Sequence, residues 1–285
     1  MTVAPTPIHA RAPAPRSSFT IRKATELGAW GVCLAIYGPP GAGKTTFCAD
    51  SADSEFGAPV LMIDAEGGAR TVSHRSDVHV ATITNEDGRG FQRVKDIYDA
   101  LVRGDLKYGT ILIDNMSELV AMCITHVVRT VQRGSNISDR PDIKDWSTIT
   151  SELLVFTRKF RDYARNSGTN VLFIAWDKPR ENPATHRVKQ DLAFNPAFAE
   201  SFPGIVDVVG YLTVEARGVR HLSFEASRTT AAKFRRSDNE VANNIPVEIR
   251  YRKVDKPLCD MLATLKGGRP WPARKYAGVP VAAAE

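Results

Sequence analysis

The chain has 285 residues, of which 43% are hydrophobic, so it is long enough and apolar enough to bury a substantial core. Lys and Arg outnumber Asp and Glu by 38 to 32, and the resulting formal charge of +6 permits binding to polyanions without requiring it. The longest apolar runs, such as 32–37 and 171–176, are much shorter than the roughly 20 residues that a membrane helix needs. The composition therefore excludes a disordered chain and predicts no membrane span.

Both ends of the chain are rich in Pro, Gly and Ala and show neither helical nor strand periodicity. We therefore predict a disordered leader over residues 1–18, one folded domain over 19–266 and a flexible tail over 267–285. The leader lacks the apolar segment of a secretory signal. The four cysteines are widely separated and include no CxxC pair, which favours reduced thiols in a cytoplasmic protein over a zinc site or disulfides.

Between the ends, short β-branched runs alternate with longer stretches of helical period, up to the apolar run at 171–176. Fully apolar strands separated by helices predict a parallel sheet that is covered on both faces. After Phe202, strand-like runs are joined by short polar turns, which predicts antiparallel strands that extend the sheet. The predicted fold is α/β, with a mostly parallel central sheet flanked by helices and antiparallel strands at the C-terminal end.

A glycine-rich segment that follows the first strand and precedes a helix fits the pattern G-x-x-x-x-G-K-[ST] of a phosphate-binding loop, or P-loop. Its glycines let backbone N–H groups wrap a phosphate, and the helix N-terminus adds partial positive charge. Lys44 is expected to reach the β- and γ-phosphates, the Thr45 hydroxyl to bind Mg²⁺, and Thr46 to add phosphate or helix-start contacts only. The predicted nucleotide-binding residues are Gly38, Pro39, Pro40, Gly41, Ala42, Gly43, Lys44, Thr45 and Thr46.

Two acidic residues complete the predicted chemistry. Asp114 ends an apolar strand, and a P-loop protein needs a second carboxylate near the metal, so Asp114 and Thr45 are the predicted metal residues. Asp114 could instead cap the following helix, and the two roles are compatible. Hydrolysis also needs a group that orients or deprotonates water. The candidate is Glu66, just past the strand that ends at Asp64; the alternative is a solvated loop acid beside Gly67.

The strand ending in Ile-Asp-Ala-Glu, placed between the P-loop and the Asp114 strand, is similar to the RecA/RadA recombinase core, and the similarity extends over about residues 37–236. The chain most resembles the small phage-encoded RecA-like ATPases of the single-strand annealing group. The resemblance implies ATP hydrolysis with ATP and Mg²⁺ as cofactors and Glu66 as the general base. The Lys-x-Arg element at Lys233 and Arg235 is similar to the motif that reaches a neighbouring subunit's nucleotide; a solvated basic turn is the alternative.

The predicted catalytic residues are thus Lys44, Glu66, Lys233 and Arg235. The same resemblance implies single-stranded DNA as a partner, a homo-oligomer in the form of a filament or ring, and a role in DNA recombination or repair. A single-strand-binding protein is a further candidate partner. The expected location is the cytoplasm, which is the host cytoplasm for a phage-encoded protein.

Two stretches, 133–140 and 177–203, look like loops that leave the carboxyl ends of strands, where an open α/β sheet binds ligands. In the family they would correspond to the DNA-binding loops. Phe194 and Phe198 could stack on bases or pack a short helix. The candidate nucleic-acid-binding residues are Arg133, Arg140, Lys178, Arg180, Arg187 and Lys189.

One position departs from the family, and other functions stay open. RecA-like proteins usually carry Gln or Asn as a γ-phosphate sensor where this chain has Trp176 followed by Asp177. A hexameric helicase or a partner-regulated ATPase would use the same core. A GTPase is suggested by D-x-x-G at 64–67 but lacks N-K-x-D, and a small-molecule kinase could use 177–203 as its lid. A nucleotide-gated interaction protein with negligible turnover is the non-enzymatic alternative.

Overall fold

The computed structural model describes residues 23, 30–131, 140–181, 186, 188–227, 230–234, 243–277 and 279. The leader predicted over residues 1–18 lies outside this described part of the chain. So do three of the candidate site residues, Arg133, Arg187 and Arg235.

Within these ranges the chain forms a ten-stranded sheet with helices on both faces. The strands are β1 (Cys33–Gly38), β2 (Val60–Asp64), β3 (Val78–Thr82), β4 (Thr110–Asp114), β5 (Asn170–Glu181), β6 (Val188–Leu192), β7 (Val208–Val214), β8 (Arg220–Ser223), β9 (Lys233–Phe234) and β10 (Glu248–Tyr251). The α-helices are α1 (Lys44–Ala49), α2 (Gly90–Arg103), α3 (Met116–Val131), α4 (Ile143–Ser167), α5 (Pro196–Ile205), α6 (Pro257–Gly267) and α7 (Ala273–Tyr276).

The strand order is β10-β8-β7-β1-β5-β4-β2-β3, with β6 paired to β5 and β9 paired to β7. The six strands from β7 to β3 in this order are parallel, whereas β8 and β10 are antiparallel to their neighbours. The α/β prediction is therefore confirmed. One detail differs: β7 is parallel to β1, because α5 returns the chain to the other end of the sheet before β7 begins.

Alternate residues of the central strand enter two separate hydrophobic cores, as the period of two in a strand requires. Ala35 and Tyr37 pack into the core under α2, α3, α4 and α5. Leu34 and Ile36 pack into the core under α1 and α6. Every residue of β1, β2 and β4 is buried, as expected for strands covered on both faces. Within the ranges given above, no helix is both long enough and apolar enough to cross a bilayer.

Part of the segment that the composition marks as a flexible tail is packed against the second core. Trp271 is 8% exposed and belongs to that core. Its ring stacks on Tyr276 with the ring centroids 5.0 Å apart, and the Tyr276 hydroxyl donates a hydrogen bond to the Asp260 carboxylate of α6. Two large aromatic rings with a satisfied hydroxyl hold this part of the chain against the domain.

The segment 177–203 is not the structureless loop that its composition suggested. β5 continues to Glu181 and forms an antiparallel hairpin with β6, and α5 follows with a proline in its first turn. Phe194 and Phe198 are buried, with ring centroids 4.9 Å apart, and both rings pack on Phe202. Of the two alternatives for these aromatic residues, core packing is confirmed.

Candidate active site

The carboxyl ends of the parallel strands β1, β2, β4 and β5 meet at one edge of the sheet, and the predicted site residues follow these ends. The register places Asp64 beside Asp114 and Gly38 beside Trp176. Because ligands of open α/β sheets bind outside the carboxyl ends of the strands, this edge is where a nucleotide site is expected.

The P-loop connects β1 to α1 and is shaped by glycines. Gly41 and Gly43 have φ values of 79° and 90°, in the left-handed region that glycine adopts without steric cost. The Lys44 side chain folds back over the loop, where its Nζ donates to the carbonyl oxygens of Gly38 at 2.8 Å and Pro39 at 2.9 Å. Burial of Lys44, which is 7% exposed, lowers the pKa of its ammonium group. The ammonium therefore lies in the loop that would hold the phosphates.

Thr45 of α1 contacts Asp114 at the end of β4. The strand that leads into α1, β1, is not a neighbour of β4, because β5 lies between them. The contact forms because α1 leaves β1 and packs across β4 and β5. The Thr45 hydroxyl donates to Oδ2 of Asp114 at 2.6 Å. Asp114 is 1% exposed, and its Oδ1 has no hydrogen-bond partner among the described residues.

Burial raises the pKa of Asp114 to about 6, against the lowering effect of the Thr45 hydrogen bond. Burial therefore disfavours the charged form of this carboxyl group, and its Oδ1 stays available to a ligand. A buried carboxylate oxygen without a partner, beside a threonine hydroxyl, is a donor set that fits Mg²⁺ and its bound water. Asp114 does not cap the next helix; Asn115 does, since its Oδ1 accepts a hydrogen bond from the Glu118 N–H at 2.8 Å.

The loop that carries Glu66 is held by Asp64, which is not among the predicted site residues. Its buried carboxylate accepts backbone N–H groups from Gly67 at 2.8 Å, Gly68 at 3.0 Å and Ala69 at 3.1 Å, and a longer one from Glu66 at 3.3 Å. Both oxygens of Asp64 are thus occupied by the loop backbone. The signal in the sequence is an aspartate followed at short distance by two glycines, which is typical of a turn closed by its own side chain.

The Glu66 carboxylate is held by two side chains from neighbouring strand ends. Asn115 donates to Oε2 of Glu66 through its Nδ2, and Trp176 donates to Oε1 through its indole Nε1 at 3.3 Å. The Trp176 backbone N–H donates to the Ser117 hydroxyl at 3.1 Å, which holds the tryptophan. Trp176 thus contacts the Glu66 carboxylate directly.

The hairpin that continues from Trp176 carries Lys178, Arg180 and Lys189. Arg180 and Lys189 are cross-strand partners, and Lys178 is exposed. Arg180 lies 3.5 Å from the Asp191 carboxylate and also donates to the carbonyl oxygen of Phe194. The structure thus brings these three candidates together on one hairpin.

Arg140 and Lys233 lie elsewhere in the fold. Arg140 is exposed and lies shortly before α4. Lys233 pairs with Val209 of β7, and its Nζ donates to the carbonyl oxygens of Pro203 at 2.6 Å and Val206 at 2.8 Å. Val209 pairs with Ala35 in the middle of β1. The backbone of Lys233 is therefore level with the middle of β1 and not with the P-loop that follows this strand.

A P-loop between a buried parallel strand and a helix, with a threonine hydroxyl bonded to a buried aspartate, defines a P-loop nucleotide-binding domain. The chain matches the AAA domain family model over residues 31–236, and it belongs to that family. Among solved structures it is similar to the one described as the crystal structure of the RadB recombinase, at 18% identity over 79% of this chain and 88% of that chain, with a TM-score of 0.41. No curated protein matches the chain.

Proposed function

We propose that this protein is a RecA-like ATPase that hydrolyses ATP in an oligomer on single-stranded DNA and acts in DNA recombination, annealing or repair. One observation carries the proposal. Lys44, the Thr45–Asp114 pair and Glu66 lie at one edge of the sheet, and the basic hairpin begins at Trp176 of the same edge. Membership of the AAA domain family supports ATP as the nucleotide.

In this proposal the protein contributes positioning and charge to phosphoryl transfer to water. The P-loop N–H groups and Lys44 bind the phosphates. Thr45 and Asp114 would hold Mg²⁺, which neutralises charge on the β- and γ-phosphates when bound. Glu66, fixed by Asn115 and Trp176, orients the water and accepts its proton.

The proposal also includes a homo-oligomer in which one subunit contributes residues to the nucleotide site of the next. Lys233 and Arg235 would stabilise the charge on the γ-phosphate of a neighbouring subunit in a filament or ring. In the single chain the Lys233 Nζ is bound to the carbonyl oxygens of Pro203 and Val206, so in the assembly it would exchange these acceptors for the neighbour's γ-phosphate. The resemblance to the phage annealing group further suggests a cytoplasmic location, in the host for a phage-encoded protein, and a single-strand-binding protein as a second partner.

Trp176→Phe is expected to lower kcat for ATP about 5- to 10-fold and to leave KM for ATP within about twofold, because it removes one hydrogen bond to the Glu66 carboxylate and keeps the aromatic ring. Steady-state kinetics measure both constants. Trp146→Phe is the matched control, since Trp146 is an exposed tryptophan of α4. Equal kcat values in the two variants would show that the Trp176 indole does not position Glu66.

Single-stranded DNA is expected to raise the ATPase rate, and the increase is expected to disappear as salt rises from about 50 to 200 mM, because contacts to phosphates release counterions. The measurement is steady-state hydrolysis with and without DNA across salt concentrations. Duplex DNA and single-stranded RNA, measured in parallel, show which nucleic acid the protein prefers.

The combined variant Lys178→Ala, Lys189→Ala is expected to lose most of the stimulation while it keeps the basal rate. Lys107→Ala is the control, because Lys107 is exposed just before β4, at the end of the sheet opposite the site. Unchanged stimulation in the double variant would remove the hairpin from the DNA interface.

A partner-regulated ATPase is the second candidate, and the Arg180–Asp191 ion pair favours it, since this pair neutralises part of the basic charge on the hairpin. It becomes the better explanation if single-stranded DNA neither binds the protein nor changes the hydrolysis rate. A kinase lid in 177–203 is disfavoured, because α5 is packed into the core through Phe198 and Phe202.

A further inference from the structure

Arg220, the first residue of β8, lies at the same edge of the sheet as the P-loop. It pairs with Val214 at the carboxyl end of β7 and with Tyr251 at the end of β10. Because β7 is parallel to β1, the carboxyl ends of the two strands point to the same side. A residue more than 170 positions further along the chain is thereby placed beside the phosphate-binding loop.

The guanidinium of Arg220 lies against Gly43, the last glycine of the P-loop. A Cβ atom added to Gly43 would lie 2.8 Å from Nε, 3.2 Å from Nη2 and 3.4 Å from Cζ of Arg220. The space next to the loop that a side chain would fill is therefore taken by this cation. Because Gly43 has no side chain, the Arg220 guanidinium can lie against it and its backbone can adopt the left-handed conformation.

The guanidinium of Arg220, which is half-buried, has no hydrogen bond or ion pair with a described residue, although its positive charge acts on the Asp50 carboxyl and opposes the rise in pKa that burial causes there. Arg250 on the neighbouring strand β10 shows the contrast, because its guanidinium binds the Glu215 carboxylate at 3.1 Å. An arginine side chain carries five N–H donors in a planar fork that matches the geometry of a phosphate. A cation that is half-buried beside a phosphate loop, with its donors unused, is placed to bind an anion there.

We propose that Arg220 binds a phosphate of the nucleotide held in the P-loop of the same chain. This inference rests on the proposed function, because it requires the P-loop to bind a nucleotide. Lys44 approaches the phosphates from α1 and Arg220 approaches from β8, on the Gly43 side of the loop. The role differs from that of Lys233 and Arg235, which would act across a subunit boundary.

The test is the dissociation constant for fluorescent ADP and ATP analogues, measured by titration of the full chain. Arg220→Ala is expected to bind both nucleotides about 10- to 100-fold more weakly, as expected for the loss of a charge-assisted contact. Arg220→Lys, which keeps the charge but loses the fork, is expected to fall between Arg220→Ala and the unmodified protein. Arg252→Ala is the matched control and is expected to stay within about twofold, because Arg252 is exposed and directly follows Tyr251.

Each outcome separates the inference from the proposed function. Nucleotide binding by the unmodified protein with equal binding by Arg220→Ala would overturn the inference and leave the proposed function intact. Equal losses of nucleotide affinity in Arg220→Ala and Arg252→Ala would overturn the inference, because they would show a general effect of positive charge and not a direct contact of Arg220. No nucleotide binding by the unmodified protein would overturn both. Thermal unfolding without nucleotide checks that each variant is folded, and Arg220→Gln replaces Arg220→Ala if the alanine variant is not.

Discussion

Glu66→Gln is expected to lower the rate of ATP hydrolysis about 100- to 10,000-fold and to leave ATP binding unchanged. Glutamine has nearly the same size as glutamate and keeps an oxygen that can accept the Trp176 Nε1–H hydrogen bond. It cannot accept a proton from water, so the loss appears in turnover and not in affinity. Steady-state hydrolysis and an ATP titration on the same sample measure the two quantities separately.

Glu86→Gln is the matched control, because Glu86 is an exposed glutamate in the loop between β3 and α2. It is expected to hydrolyse ATP at the unmodified rate. Normal turnover in Glu66→Gln would refute its assignment as the base. Asp64 could not take over the role in this geometry, because both of its carboxylate oxygens accept backbone N–H groups.

Lys44→Ala is expected to weaken ATP binding at least about 100-fold, because the ammonium is the charged group that the P-loop directs at the phosphates. An ATP titration measures the change. The variant also leaves the carbonyl oxygens of Gly38 and Pro39 without their ammonium donor, so its folded state must be checked by thermal unfolding without nucleotide.

Lys144→Ala serves as the control for Lys44→Ala, since Lys144 is an exposed lysine of α4. It is expected to bind ATP like the unmodified protein. A folded Lys44→Ala protein that binds ATP with unchanged affinity would contradict the assignment of the P-loop as the nucleotide site.

The parts of the site that could be predicted from sequence are those that depend on local patterns. The P-loop is a contiguous motif, and Asp114 and Glu66 each follow an apolar strand. Parallel strands of one sheet bring these ends to the same edge, so a correct fold class implies their proximity. The structure places Thr45, Asp114 and Glu66 at that edge as expected, although β5 separates β1 from β4.

The parts that could not be predicted depend on contacts between distant segments. The approach of Arg220 to Gly43 requires the pairing of β8 with β7, and no local pattern encodes it. The hydrogen bonds of Asn115 and Trp176 to Glu66 likewise depend on the order of the strands.

The sequence does not predict the β5–β6 hairpin, for a local reason. Pro179 stands inside β5, and a proline within an apparent strand argues against that assignment unless the strand is at an edge. Here it lies in the part of β5 that pairs with β6 alone. The parallel direction of β7 is not predicted either, because a short helix in this segment is only one of two alternatives and the reversal of the chain depends on how that helix packs.

β5 is one uninterrupted strand that links two environments. Its first six residues are buried, its seventh is Trp176, and its last residues form one arm of the hairpin. Under the proposed function, DNA on the hairpin and ATP in the P-loop contact the same continuous element. Thermodynamic linkage then requires reciprocity: the factor by which DNA changes the affinity for ATP equals the factor by which ATP changes the affinity for DNA.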